Sequence, residues 1–341
     1  MSLMKKEREI TEPVKLCDEN GNLNAASVGW SRRPLITSNL KGQFLRKKKW
    51  HYWCVNGQDA LFSATISHLD YAAVCFVYYL DYKTKDFYEK TVLMPLGLKT
   101  NMPEEVLASA ENLHKDMGIF FIWDGSDTHL KVSIPDFGGK PLKADIKVYY
   151  PENHDTLNVV IPWSSTKFQY TAKQQCLPAE GTFSVGDKMY TFDKATDSAI
   201  LDYGRGVWPR TSTWNWGTAS GRNNGDMVGL NFGGQWTDGT GVTENGFLVN
   251  GRLVKVSDNV AFEFNRNDMM EPWQINTRES SQVRLTFEPF YHRQSATSAI
   301  LVKSEMHQMF GHYYGELTDE DGSTITINAL PGSIEDHFAH W

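Results

Sequence analysis

Met227-Val228-Gly229-Leu230-Asn231-Phe232 is a short apolar run that opens into Gly233-Gly234-Gln235-Trp236-Thr237-Asp238-Gly239-Thr240-Gly241-Val242-Thr243-Glu244-Asn245-Gly246. A run of this length, closed by glycines and lacking helical periodicity, reads as a β-strand. Just upstream, Trp214 and Trp216 are two residues apart, so in a strand they share one face. The glycine-rich crossing then delivers Asn231, Gln235, Trp236, Asp238, Glu244 and Asn245 to the same neighbourhood. Aromatic walls with a few polar groups have the composition of a small-molecule pocket. With Arg210 ahead of the tryptophans and Phe310 further on, these are the expected ligand-binding residues, and Glu244 is also a candidate for catalysis.

Working outward, the same kind of run recurs. Leu61 to Ile66, Ala73 to Leu80, Lys90 to Met94, Ile119 to Trp123, Leu130 to Ile134 and Ile146 to Tyr150 are short and rich in β-branched or aromatic residues. The second half adds Thr182 to Val185, Phe247 to Val249, Leu253 to Val256, Ala261 to Phe264, Val283 to Pro289, Ser298 to His307 and Thr324 to Ile327. Asn56-Gly57, Asp124-Gly125, Asn250-Gly251 and Asp321-Gly322 are tight-turn signals between them. Many strands with tight turns imply an all-β protein of antiparallel sheets closing into barrels or sandwiches. One stretch, Pro103 to Leu113, has proline and acids placed as at a helix start and predicts a short helix.

Prolines 151, 162 and 178 place a boundary between an N-terminal domain, 1–165, and a C-terminal domain, 166–341, which carries the main pocket. A faint repeat supports two similar halves: Arg46-x-x-x-Trp50-x-Tyr52 matches Arg210-x-x-x-Trp214-x-Trp216. Chance matching in a chain with 13% aromatics is the competing explanation.

A net charge of −7 with no basic stripe disfavours nucleic acid as a partner. The cluster Arg46-Lys47-Lys48-Lys49 reads as a solvated strand edge or as a contact with an anionic ligand or membrane surface. Four scattered cysteines form no Cys-x-x-Cys pair, so neither a disulfide framework nor a zinc site is expected. The opening residues lack the apolar core of a secretory signal, and the longest apolar run, Tyr71 to Leu80, is too short for a membrane helix. The expectation is a soluble cytoplasmic protein without an integral membrane segment. Its oligomeric state is left open.

Glu305-x-His307 lies in a strand pattern, so both side chains point one way. A carboxylate beside an imidazole can serve as an acid–base pair, and alkene hydration or cyclisation needs a proton donor and aromatic faces for the carbocation. A buried structural pair and metal ligation are the alternatives. Asp238 is ordinary turn punctuation or half of a glycosidase-like carboxylate pair with Glu244. His307, His312, His337 and His340 show no metal-ligand spacing, and no metal is expected. His337 and Trp341 cap a barrel mouth or tie down the terminus. Asp202-Tyr203-Gly204-Arg205-Gly206 lacks the spacing of a dinucleotide loop, so no cofactor is expected. Arg205 and Arg210 offer a bidentate grip for a carboxylate.

Several of these segments together resemble a known family. Arg8 to Gly21, Gly29-Trp30-Ser31-Arg32-Arg33-Pro34-Leu35, Gly204-Arg205-Gly206-Val207-Trp208-Pro209 and Ser304-Glu305-Met306-His307-Gln308-Met309-Phe310-Gly311 are similar to motifs of the bacterial family called domain of unknown function 2804. So is the ending Glu335-x-His337-x-x-x-Trp341. A more distant resemblance links Trp214-x-Trp216, the strand from Met227, and Glu244-Asn245-Gly246 to carotenoid-hydratase and tocopherol-cyclase-like proteins. The chain departs from them in lacking an aspartate-rich turn after the paired tryptophans. The resemblance implies two lipocalin-like barrel halves and a lipophilic, isoprenoid- or acyl-like ligand. Acid–base hydratase or cyclase chemistry is one implied role, and a carrier or interaction module without turnover is the other.

Overall fold

A computed structural model describes residues 7–299 and 302–341. The protein is all-β: the described residues form one 14-stranded sheet, one 9-stranded sheet and a small parallel pair, Val14–Lys15 with Ile36–Thr37. Both large sheets are antiparallel and curl into lipocalin-like halves. Among the described residues the helical content is a single 3-10 turn, Ala25–Ser27, capped by the Asn24 side chain. No helix among the described residues is long and apolar enough to cross a membrane.

The helix expected over Pro103 to Leu113 does not form. Residues 104–108 are bends, followed by the strand Ala110–His114. The carbonyls that would begin a helix are taken by tertiary donors. Pro103 O accepts from the Arg205 guanidinium at 3.0 Å, and Glu104 O accepts from Ser38 Oγ at 2.6 Å and Tyr203 Oη at 2.9 Å. Local propensity of a short segment is weak enough for such contacts to override it.

The strand expected over Ser298 to His307 is divided between Val283–Ala299 and Val302–Thr318, which pair antiparallel, and its residues 300 and 301 lie outside the described residues. The other expected strands are present, many of them longer than the sequence suggests. Lys167–Val185 runs for 19 residues because a bulge between Gln174 and Leu177, with Cys176 at φ +60°, turns it from one set of neighbours to another. Its first part pairs with Leu157–Ser164 and Ser198–Val207, its second with Leu142–Val148 and Lys188–Phe192. The expected boundary at 165/166 falls in the tight turn of a hairpin joining Leu157–Ser164 to Lys167–Val185. The chain passes from one large sheet to the other at Trp208-Pro209-Arg210, between the strands Ser198–Val207 and Thr211–Asn223. Pro162 sits at a strand irregularity, where a missing N–H is tolerated.

Each half has its own apolar filling, with Trp53, Phe62, Phe121 and Phe183 in the first and Phe232, Trp273, Phe287 and Tyr313 in the second. Burying each such ring is worth about 1.5–3 kcal/mol. A third cluster gathers Trp30, Trp208 and Trp236, with Trp50, Trp163, Trp214 and Trp341 packed against it. A fourth joins Tyr52 and Tyr78 of the first half to Trp216 and Phe310 of the second. These last two clusters hold the halves together, and the cavity lies among them.

Candidate functional site

The register of the strands explains why polar groups converge here. In the first half Tyr52, Asp202 and Lys173 form one cross-strand row, and Trp50, Gly204 and Thr171 form the next. In the second half Trp216, Glu335 and Gln308 form a row, followed by Trp214, His337 and Met306. The rows correspond strand for strand. Side chains alternate along a strand, so positions two apart share a face. Every one of these residues except Gly204 lines a single cavity of about 210 Å³ between the halves. The repeat Arg46-x-x-x-Trp50-x-Tyr52 and Arg210-x-x-x-Trp214-x-Trp216 is therefore the first strand of each wall.

Glu335 is buried at 8% exposure and accepts a hydrogen bond from the Trp214 indole N–H at 2.8 Å. Burial pushes its carboxyl up to about 7, the indole opposing only in part. It is a carboxylic acid that holds its proton near neutrality. His337 stacks on Trp214 with 4.0 Å between ring centroids and pairs with Ser304 Oγ at 2.9 Å. Burial, and then the charge of Arg293, lowers its pKa to about 3, so the imidazole is neutral.

Lys173 sits between two carboxylates, 2.9 Å from Asp202 and 3.2 Å from Glu244, with Nζ 4.3 Å from the centre of the Trp216 ring. Burial disfavours its charge, but Asp202 and Glu244 outweigh that and hold the ammonium above its usual value. Glu244 accepts from the Trp236 indole at 2.6 Å, and burial shifts its carboxyl upward against the pull of Lys173. On the other side Arg293 pairs with Glu89 at 2.8 Å and donates to Gln308 Oε1 at 2.8 Å. Tyr78 donates to the same oxygen at 3.3 Å and shares a 2.9 Å hydrogen bond with Tyr52. The result is an aromatic chamber with one ion-paired lysine, one ion-paired arginine and two acids shifted toward the neutral form.

A single family model, that of the domain of unknown function 2804, matches residues 7–341. This chain belongs to the DUF2804 family. No curated protein matches the DUF2804 chain by sequence. Among solved structures it is similar to CghA with Sch210972, at TM-score 0.53 and 9% identity over 86% of this chain and 88% of that one. It is also similar to kievitone hydratase from Nectria haematococca, at TM-score 0.52 and 8% identity over 86% and 88%. An AttH-like protein from Nitrosomonas europaea aligns at TM-score 0.50 and 10% identity over 86% and 92%. At such identities these likenesses establish the shared fold.

Of the residues the sequence singled out, Trp214, Trp216, Trp236 and Glu244 line the cavity of the DUF2804 chain. Asn231 stands behind it, accepting from the Trp216 indole at 2.9 Å and donating to Glu244 O at 2.6 Å. Asn245 is a backbone brace, accepting from Gly233 N and donating to Asp258 O. Gln235 lines a separate depression with Asn215 and Arg266. Asp238 is exposed and paired with Arg278 at 3.1 Å, so it and Glu244 do not flank one cleft. Arg210 is exposed, and Phe310 is packed against Tyr78 and Tyr291 in the inter-half cluster. Arg205 grips backbone carbonyls of Trp50, Gly204 and Pro103.

Glu305 and His307 do come together, 3.6 Å apart, but on the face of their strand opposite Met306 and Gln308, which line the cavity. His307 pairs there with His292 at 3.0 Å. The sequence reading missed Glu335. The same Glu-x-His alternation that pointed to Glu305 and His307 occurs at Glu335 and His337, one strand away, and there it faces the chamber.

Proposed function

We propose that the inter-half cavity binds a lipophilic small molecule and catalyses acid-triggered hydration or cyclisation of an alkene. The observation that carries this reading is Glu335, a buried carboxylic acid with a pKa near 7 in an aromatic wall. Protonation of an alkene carbon requires such an acid, with a pKa near the working pH. Glu335 donates its proton, and the carbocation forms against the faces of Trp214 and Trp216, which attract positive charge. Water then adds and its proton returns to the Glu335 carboxylate, giving an alcohol. In a cyclisation the nucleophile is a second group of the same molecule, and no atoms are gained. Kievitone hydratase is named for a hydration, and its likeness in fold supports the class without carrying the residues.

A carrier without turnover is the second reading. The paired Lys173–Asp202 and Arg293–Glu89 favour it, because fixed polar walls orient a ligand without changing it. The experiment is native mass spectrometry of gently purified protein, with solvent extraction of any adduct. The extract is then incubated with fresh protein in water labelled with ¹⁸O or deuterium. Gain of ¹⁸O marks hydration, and deuterium at carbon without ¹⁸O marks cyclisation. A tightly bound lipophile returned unlabelled in both supports the carrier. Absence of any bound lipophile, together with no turnover of added polyenes, overturns both readings.

A further inference from the structure

The basic run Arg46-Lys47-Lys48-Lys49 is divided by the strand that carries it. The Arg46 guanidinium donates to Trp208 O at 3.0 Å, and Lys47 pairs with Asp70 at 3.2 Å. Lys48 instead shares the face of Trp50 and Tyr52 and lines the cavity, only 1% exposed. Its Nζ donates to a backbone carbonyl, Leu69 O, at 3.1 Å, and lies 4.6 Å from the ring centre of Tyr71 and 5.6 Å from that of Trp341. Among the described residues no carboxylate comes within ion-pair distance of it. Lys49 also borders the cavity without a carboxylate partner among the described residues. Arg205, opposite Lys49 in the register, bonds only to backbone carbonyls.

The opposite end of the chamber holds Asp202, Glu244 and Glu335 with two cations, Lys173 and Arg293, each of them in an ion pair. Lys48 stands opposite Gly206 and Tyr52 opposite Asp202, so the two ends are four strand residues apart. At about 3.3 Å per residue that is roughly 13 Å. The cavity thus has lysines without carboxylate partners at one end and ion-paired cations at the other. A desolvated ammonium with one neutral acceptor is costly to maintain unless something ionic completes it.

We propose that Lys48 anchors the acidic head group of the ligand, so that the substrate is a lipophilic acid whose reacting carbons lie about 13 Å from its anionic end. A carboxylate is the compact form of that head group. The inference rests on the reading of the cavity as a lipophile site and adds the direction in which the ligand lies. Held this way, the tail presents its alkene to Glu335, and the nearby carboxylates face the positive charge that develops there.

The test compares parinaric acid, a fluorescent polyene acid excited by energy transfer from tryptophan, with its methyl ester, on the full chain. The expected result is binding of the acid about tenfold or more tighter than the ester. In K48M the acid falls to the affinity of the ester, and K48R keeps the preference. Equal binding of acid and ester by the unaltered protein, or a preference that survives in K48M, overturns the role of Lys48 while leaving the lipophile site intact. Should K48M not fold, the comparison of the two probes on the unaltered protein and on K48R decides. Failure of both probes to bind the unaltered protein overturns the cavity reading, and this inference with it.

Discussion

Asp202 and Glu335 occupy the same place in the two halves: each lies opposite the second aromatic of its repeat, Tyr52 or Trp216, on the last strand of its half. Their surroundings differ. Asp202 has Lys173 at 2.9 Å, whereas Glu335 has only an indole N–H, and burial leaves it near 7. The carboxyl of one half is thus held by an ammonium and that of the other by a neutral donor.

Replacing Glu335 by Gln keeps an acceptor for the Trp214 indole and removes the proton. Ligand affinity is expected to hold while turnover falls by about a hundredfold or more. In the unaltered protein kcat is expected to decline as pH rises through about 7, where Glu335 loses its proton. The check is a pH–rate profile alongside ligand titration of E335Q.

The same shift has a consequence for stability. The folded pKa of Glu335, about 7, lies above the ordinary 4.5, so between these values the folded protein holds a proton that the unfolded chain has released. Stability from this group is full below about 4.5 and is lost as pH rises toward 7, by on the order of 3 kcal/mol. Urea unfolding at pH 5 and pH 8 should show a steeper loss for the unaltered protein than for E335Q. Equal pH dependence in both would place the Glu335 pKa near that of an ordinary glutamate.

The fold was legible because strand patterning is local: alternation, β-branched runs and Asn-Gly or Asp-Gly turns each report on a few residues. The 17-residue strand Thr324–His340 was legible only at its start, since Ala329, at φ +52°, and Pro331 interrupt the pattern. Part of the site followed from Trp214, Trp216, Trp236 and Glu244, because adjacent strands bring near neighbours in sequence together. Lys173, Asp202 and Arg293 were not legible, since each reaches the chamber through register with a strand distant in sequence. Glu305 and Glu335 show the limit most clearly. Alternation says that a Glu-x-His pair shares a face, and only the pairing of strands says which face looks inward.

Changing Glu305 to Gln and His307 to Ala tests that distinction. Their side chains lie away from the cavity, and Glu305 is half-exposed. E305Q is expected to change stability by no more than about 0.5 kcal/mol. H307A forfeits the hydrogen bond to His292, at a cost of about 1 kcal/mol. Neither should alter ligand affinity or turnover. A hundredfold loss of turnover from either, with the fold retained, would return catalysis to this pair.

Lys173→Met removes the cation shared by Asp202 and Glu244 and leaves buried carboxylates uncompensated. Breaking a buried pair costs about 3–5 kcal/mol. Removing a negative charge as well, in K173M/E244Q, should recover part of that loss. Denaturant midpoints of the two variants measure it, and a K173M protein as stable as the original would mean that the ion pair is solvated.

Gly233→Ala places a methyl group against the site from behind. A Cβ there would lie 2.0 Å from Glu244 Oε1, so the carboxylate must move away from the Trp236 indole and from Lys173. The expected cost is about 1–3 kcal/mol, from overpacking together with the broken hydrogen bond. Because the obstruction is the Glu244 side chain and not backbone, truncating it should relieve the clash. The double variant G233A/E244A is therefore expected to lose less stability than the sum of the single variants, and a thermodynamic cycle measures the difference. Strict additivity would show that Glu244 is free to leave Gly233 and that the carboxylate is not held in place by Trp236 and Lys173.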